Sequence, residues 1–118
     1  MIRPSGLYAV LAGETLPVEL HGSDYVKLAG PYGLVRHELD ELDDFLSVRT
    51  SATWRGGRIS VKAVADDECG FDTSDQRLAE RESLAGDFYN GWHGSAPLAE
   101  LTDVDERVTS IHPRRREA

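Results

Sequence analysis

The sequence predicts a mainly β domain with one short helix, a β-rich α+β class, and three observations carry that prediction. Apolar residues alternate with polar ones in short runs: Leu16, Val18 and Leu20 in one, Ile59, Val61 and Ala63 in another. Turn signals separate the runs at short intervals, among them Gly13-Glu14, His21–Asp24, Ala29–Pro31 and Gly56-Gly57. The chain also aligns with itself. Residues 7–19 match 50–62 without a gap at an offset of 43, and residues 38–47 match 100–109 at an offset of 62. The difference implies one insertion of 19 residues in the second copy, covering roughly 70–90.

Taken in order, Gly6 opens the β-favouring run LYAVLA, and Gly13-Glu14 turns it into a second strand. Pro17 lies inside that strand, which places it at a sheet edge or a bulge. Tyr25–Leu28 and Tyr32–His37 follow as strands three and four. Leu39 and Leu42, three apart, fit a short helical or 3₁₀ turn with both leucines inward. Phe45 begins a long strand that runs to Trp54, and Gly56-Gly57 turns it into Arg58–Val64. A helix is expected near 74–85, capped by Ser74 or Asp75 and stopped by Gly86. Phe88–Trp92 reads as a strand, Leu98 and Leu101 repeat the short turn, and Val104–Ile111 closes the chain. Four strands, a short helical turn and a fifth strand, occurring twice, is the order of an SH3-like barrel. The expectation is therefore two SH3-like repeats, 1–49 and 50–112, packed by a pseudo-twofold into one compact unit. The helical insertion falls in the second, and a basic tail at 113–118 follows. A single mixed α+β roll is the alternative.

The formal charge is −8, and because the last six residues contribute +2, the body before them carries −10. Such a surface repels nucleic acid and anionic membranes, so neither is expected as a partner. Cys69 is the one cysteine, which excludes an intramolecular disulfide and a thiolate zinc site. The first apolar run, Leu7–Ala12, is short for a signal-peptide core, and the expected location is cytoplasmic.

The chemistry-bearing motifs point away from catalysis. No HExxH, CxxC, GxSxG or Walker pattern occurs, and His21, His37, His93 and His112 are widely spaced surface or turn histidines by expectation. The acidic run 65–75 fails the calcium-loop pattern: counted from Asp66, the fifth position is Gly70 and the twelfth Arg77. No catalytic residue, metal or cofactor is expected. What remains is surface. ELDELDD (38–44) carries five carboxylates in seven positions and ELTDVDE (100–106) carries four, with Leu39, Leu42, Leu101 and Val104 free to point inward. The plain reading is a pair of solubilising turns; the functional one is two acidic ridges that meet a basic cleft, with Asp40, Glu41, Asp43, Asp44 and Asp103 as contacts. Gly91-Trp92-His93-Gly94 places a tryptophan between glycines, as an exposed anchor or as core filling beside a bulge. Tyr89, Trp92 and His93 complete the candidate set.

The elements Gly13, Glu38-Leu39, Trp54-Arg55-Gly56 and Glu100-Leu101 resemble the scheme of small actinobacterial β-rich proteins associated with secreted polymorphic toxins. That resemblance spans most of the chain through short elements. It implies an immunity protein that neutralises a cognate toxin by binding; with the acidic surface, the expectation is a non-enzymatic protein, monomeric when free, whose partner toxin has a basic cleft. The alternative function is a small ligand-binding or regulatory β-barrel domain.

Overall fold

A computed structural model describes residues 2–113; the Arg-rich part of the expected basic tail lies outside them. Among the described residues the chain is mostly antiparallel strand with one α-helix. It divides into two units. Among the described residues, the first comprises Gly6–Val48 and 108–113; the second comprises 2–5 and Arg49–Arg107.

In the first unit, β1 (Gly6–Leu11), β2 (Glu14–His21), β3 (Tyr25–Gly30) and β4 (Gly33–Glu38) form a meander. The 3₁₀ turn Leu39–Glu41 then leads into β5 (Asp44–Trp54), whose first half pairs with β1 from Gly6↔Val48 to Val10↔Asp44. The pairing order is β5-β1-β2-β3-β4. Ala9, Val26, Leu28, Leu39, Leu42 and Phe45 form the buried cluster. His112, expected at the surface, is buried instead: it is 1 % exposed and its Nε2 donates to the Leu39 carbonyl at 2.8 Å. A buried imidazole needs such a partner, and the carbonyl at the start of the 3₁₀ turn supplies it.

In the second unit, β5 continues into β6 (Gly57–Ala65) and β7 (Glu68–Thr73). Helix α1 (Gln76–Glu82) and β8 (Ala85–Asp87) follow, then β9 (Gly91–Pro97) and a second 3₁₀ turn, Leu98–Glu100. β10 (Thr102–Ser110) returns to pair with β5. The order runs β5-β6-β7-β9-β8. Ala52, Trp54, Ile59, Val61, Cys69, Phe71, Leu78 and Ala96 form the core here.

The offset of 43 recurs in the geometry. Ala12 and Gly13 have φ of 52° and 82°, and Arg55 and Gly56 have 49° and 83°, the two positive values a type I′ hairpin requires. Leu11↔Glu14 closes the first turn and Trp54↔Gly57 the second. The ladder irregularity between Val18 and Leu20 matches that between Val61 and Ala63. These bulges correct the predicted alternation. One extra residue moves the following side chain to the opposite face. Leu20 is therefore 55 % exposed rather than inward, and Val64, not Ala63, packs on the second core.

The offset of 62 does not recur. Leu28↔Val35 and Phe71↔Gly94 are corresponding pairs, as are Val26↔His37 and Cys69↔Ala96, so the later offset is 59. The two 3₁₀ turns obey it as well: the Leu42 N–H donates to the Leu39 carbonyl and the Leu101 N–H to the Leu98 carbonyl, both at 3.1 Å. The insertion is thus 16 residues, and its place is sharp. Gly30↔Gly33 flanks the two-residue turn Pro31-Tyr32, whereas Thr73↔Trp92 flanks the whole of 74–91.

Candidate functional site

The insertion is held to its own unit at both ends. Thr73 Oγ1 donates to the Arg58 carbonyl at 2.8 Å and accepts the Asp75 N–H at 3.0 Å. Asp75 then caps α1, its Oδ1 accepting the Leu78 N–H at 3.1 Å. Leu78 and Ala79 turn inward, and Leu78 lies so close over Gly57 that a Cβ there would come within 2.7 Å of its Cδ2. At the other end of the helix, Glu82 accepts from Arg55 Nη1 at 2.5 Å, and this guanidinium holds its carboxyl below the ordinary range. Arg55 also covers the Trp54 ring at 4.8 Å, while Arg81 donates to the Arg55 carbonyl. The helix stops earlier than expected because Ser83 takes a left-handed conformation, φ 54°. Leu84 packs on the core, and Ala85–Asp87 runs out as β8 along β9.

The β8–β9 turn presents two aromatic rings. Phe88 is 74 % and Tyr89 91 % exposed, and the rings meet edge to face with centroids 5.8 Å apart. Their backbone is fixed. Asp87 Oδ1 accepts the N–H groups of Asn90 at 2.7 Å and Tyr89 at 2.9 Å, and Asn90 Nδ2 donates to Oδ2 at 3.2 Å. These donors favour the ionised form, with Asn90 contributing most, so the Asp87 carboxyl lies below its usual value. Beside the rings is an open cleft of about 380 Å³ bordered by Ser60, Lys62, Asp72 and Asn90. Its lining mixes hydroxyls, an amide and one charge of each sign.

The residues singled out from the sequence fall into two sets. Asp40, Glu41, Asp43 and Asp44 belong to the first unit; Tyr89, Trp92, His93 and Asp103 belong to the second. Asp40, Glu41 and Asp43 are exposed. Glu41 is nevertheless committed to its own turn: its carboxylate meets His37 Nδ1 at 3.1 Å and accepts the Glu38 N–H at 3.3 Å, and both hold its carboxyl low. Asp44 is half-buried, accepting the Ser110 hydroxyl at 2.7 Å and the Phe45 N–H at 2.9 Å. Its role in the strand is structural. Asp103 is exposed with φ 48°, and its carbonyl accepts Arg58 Nη1 at 2.8 Å. Trp92 is half-buried in β9 between Thr73 and Gly86, and His93 is exposed opposite Asp72. Tyr89 alone of the eight borders the cleft.

Phe88 is absent from that set. Its signal is the sequence Asp87-Phe88-Tyr89-Asn90-Gly91, an aromatic pair bracketed by an aspartate that caps a turn and a glycine with φ 80°. Two aromatics inside a tight turn cannot both face a core.

Among the described residues no group of three or more histidine, cysteine or acidic side chains is placed to hold a metal ion. Cys69 is buried, which pushes its thiol up and away from the reactive thiolate. No helix among the described residues is long and apolar enough to cross a membrane. No protein-family model matches the chain, and no curated protein or solved structure is significantly similar to it.

Proposed function

We propose that this chain is a non-enzymatic protein of the immunity type, built from two SH3-like units, that neutralises a cognate protein toxin in the cytoplasm by binding it. The observation that carries the reading is the Phe88–Tyr89 pair, two large rings held away from the core by a turn whose backbone is already hydrogen-bonded. A preorganised turn loses little entropy on binding, and an aromatic anchor of this kind contributes about 2 kcal/mol or more to an interface. The charge of −8 favours a basic partner, and exposed Asp40, Asp43 and Asp103 would act on the association rate more than on the dissociation rate.

The test is protection. The chain is co-expressed with the toxic domain that a pull-down with the purified chain recovers, and survival is scored for the parent chain and for the Phe88→Ala/Tyr89→Ala double variant. Parent protection and double-variant failure, with both proteins folded, support the reading. Loss of salt dependence of the on-rate in an Asp40→Asn/Asp43→Asn/Asp103→Asn variant supports the steering role. Absence of protection by the parent chain, or full protection by the double variant, overturns it.

A further inference from the structure

β4 ends the pairing order of the first unit, and among the described residues its one ladder partner is β3. Alternate N–H and C=O groups along Gly33–Glu38 therefore point away from the sheet. Proteins blunt such edges with charged side chains, lysine above all, or with proline, a bulge or a covering segment. β4 contains neither proline nor lysine, its two charges Arg36 and Glu38 are paired with each other, and its register is unbroken from Tyr25↔Glu38 to Gly30↔Gly33. Its first half is apolar and open, Leu34 being 50 % and Val35 44 % exposed after the fully exposed Tyr32 of the turn, and its second half carries Arg36, His37 and Glu38.

The second unit treats the same position differently. β9 corresponds to β4, with Trp92 and His93 in the places of Gly33 and Leu34, and its outer edge is taken by β8 through Ala85↔His93, Gly86↔Trp92 and Asp87↔Gly91. Where the chain supplies a strand, an antiparallel segment closes this edge. In the first unit Pro31-Tyr32 stands where that segment would be, and the edge is open.

We propose that β4 is a docking edge for an extended segment of a partner protein, which adds to it as an antiparallel strand and carries a carboxylate opposite Arg36 and an apolar side chain opposite Leu34. The charge follows from the outer face. Leu20, Lys27 and Arg36 stand opposite one another across β2, β3 and β4, so this strip of an acidic chain holds two cations. Arg36 is propped over the Tyr25 ring at 4.1 Å, and its ion pair with Glu38, at 2.9 Å, is exposed and open to exchange. Leu34 is two residues from Arg36 and shares its face, next to Ala29. An incoming strand with acid and apolar residues two apart meets both in one register. This edge lies on the first unit and does not depend on the Phe88–Tyr89 surface.

The probe is a blocked nine-residue threonine peptide with glutamate at its fifth position and valine at its third and seventh, titrated into the isotope-labelled full chain at millimolar concentration. Two further peptides carry N-methyl groups on alternate residues, one on the odd and one on the even. The expected result is amide shifts confined to Gly33–Glu38 and adjoining β3, with binding kept by one N-methyl series and lost by the other. Arg36→Glu should weaken the glutamate peptide about tenfold, the worth of one charge-assisted hydrogen bond, and prefer a peptide with lysine at the fifth position. That preference distinguishes charge recognition from loss of fold. Equal binding by both N-methyl series, shifts centred on Phe88 and Tyr89, self-association through β4, or no shifts at all would each overturn the proposal.

Discussion

Gly86→Ala is a one-atom test of how the insertion is fastened. Gly86 has φ +130°, a region that residues with a Cβ avoid at a cost of about 1–3 kcal/mol. The added Cβ would lie 2.3 Å from the Gly91 carbonyl oxygen, 2.7 Å from the Trp92 Cα and 3.1 Å from the Gly91 carbonyl carbon. All three are backbone atoms of β9, so no rotamer change relieves the contact. The cheapest escape is detachment of β8, which gives up the ladder Ala85↔His93 to Asp87↔Gly91. That escape caps the loss. Ala85–Asp87 is exposed throughout, so releasing it exposes little apolar surface. A destabilisation of about 1–3 kcal/mol is expected, in the range of overpacked sites. Urea unfolding followed by tryptophan fluorescence measures the total, and hydrogen exchange locates it. Amides of Ala85–Trp92 should exchange faster, while those of Val26 and Leu28 should not change. The control is Gly70→Ala, whose Cβ meets the Ala63 Cβ at an ordinary 3.7 Å and should cost less than about 0.5 kcal/mol. If Gly86→Ala matches that control in both assays, β8 is not pinned by this contact and the reasoning fails.

Three other outcomes follow from the same geometry. Trp54→Phe keeps a ring near Phe71, 5.1 Å away, but deletes the Nε1–H donated to Glu100 at 2.9 Å; equilibrium unfolding should report a loss of about 1 kcal/mol from the bond, plus the smaller ring's packing deficit. Asp75→Ala removes the cap of α1 and should cost about 0.5–2 kcal/mol, with helical circular dichroism reduced and the first-unit amides unperturbed. The Asp87 carboxyl is lowered in the folded chain, so its support of the turn is complete above the ordinary carboxylate range and disappears as pH falls through the lowered value. Tyr89 and Asn90 amide resonances should therefore move only at the acid end of a titration, and Asp87→Asn should abolish that movement.

The legibility of this chain depends on whether packing or solvent sets each position. Ala9 and Ala52 have no exposed surface, and the hairpins after Leu11 and Trp54 need positive φ, so both leave a pattern that aligns at 43. The acids around Leu39 and Leu101 lie outside both buried clusters, and no packing constraint fixes their spacing. Matching Glu38-Leu39 to Glu100-Leu101 puts the later alignment three residues out, while the leucines that turn inward, 39 with 98 and 42 with 101, fall at 59. The bulge after Val61 leaves no mark in the sequence because Lys62 is an ordinary strand-face residue, whereas the one after Val18 follows Pro17, whose place inside the strand implies an edge or a bulge. His112 escapes sequence reasoning for the opposite reason. A lone histidine near a terminus gives no hint that a backbone carbonyl at Leu39 awaits it.

The two units differ most at one loop, and that loop explains why novelty could gather there. Val18 and Val61, Val26 and Cys69, Leu28 and Phe71 hold matching places, so both cores constrain their strands alike. The turn between the third and fourth strands carries no such burden: Tyr32 and Tyr89 are both exposed, and neither belongs to a buried cluster. Replacing two residues there by 74–91 requires a close glycine at 57 with a capped helix over it, and leaves the strands in register. That unit thereby has a covered edge and a rigid aromatic turn, while the first keeps a bare edge and a two-residue turn. If the two surfaces took one and the same partner chemistry, exchanging these loops between units would leave binding unchanged. The structure predicts instead that grafting 74–91 in place of Pro31-Tyr32 closes β4 and removes its peptide binding, provided Leu78 is given a small residue to cover. The substitution Glu14→Gly would supply it, since Glu14 occupies the position of Gly57. A grafted chain that folds, protects its β4 amides from exchange and still binds the glutamate peptide would break the equivalence of the two edges.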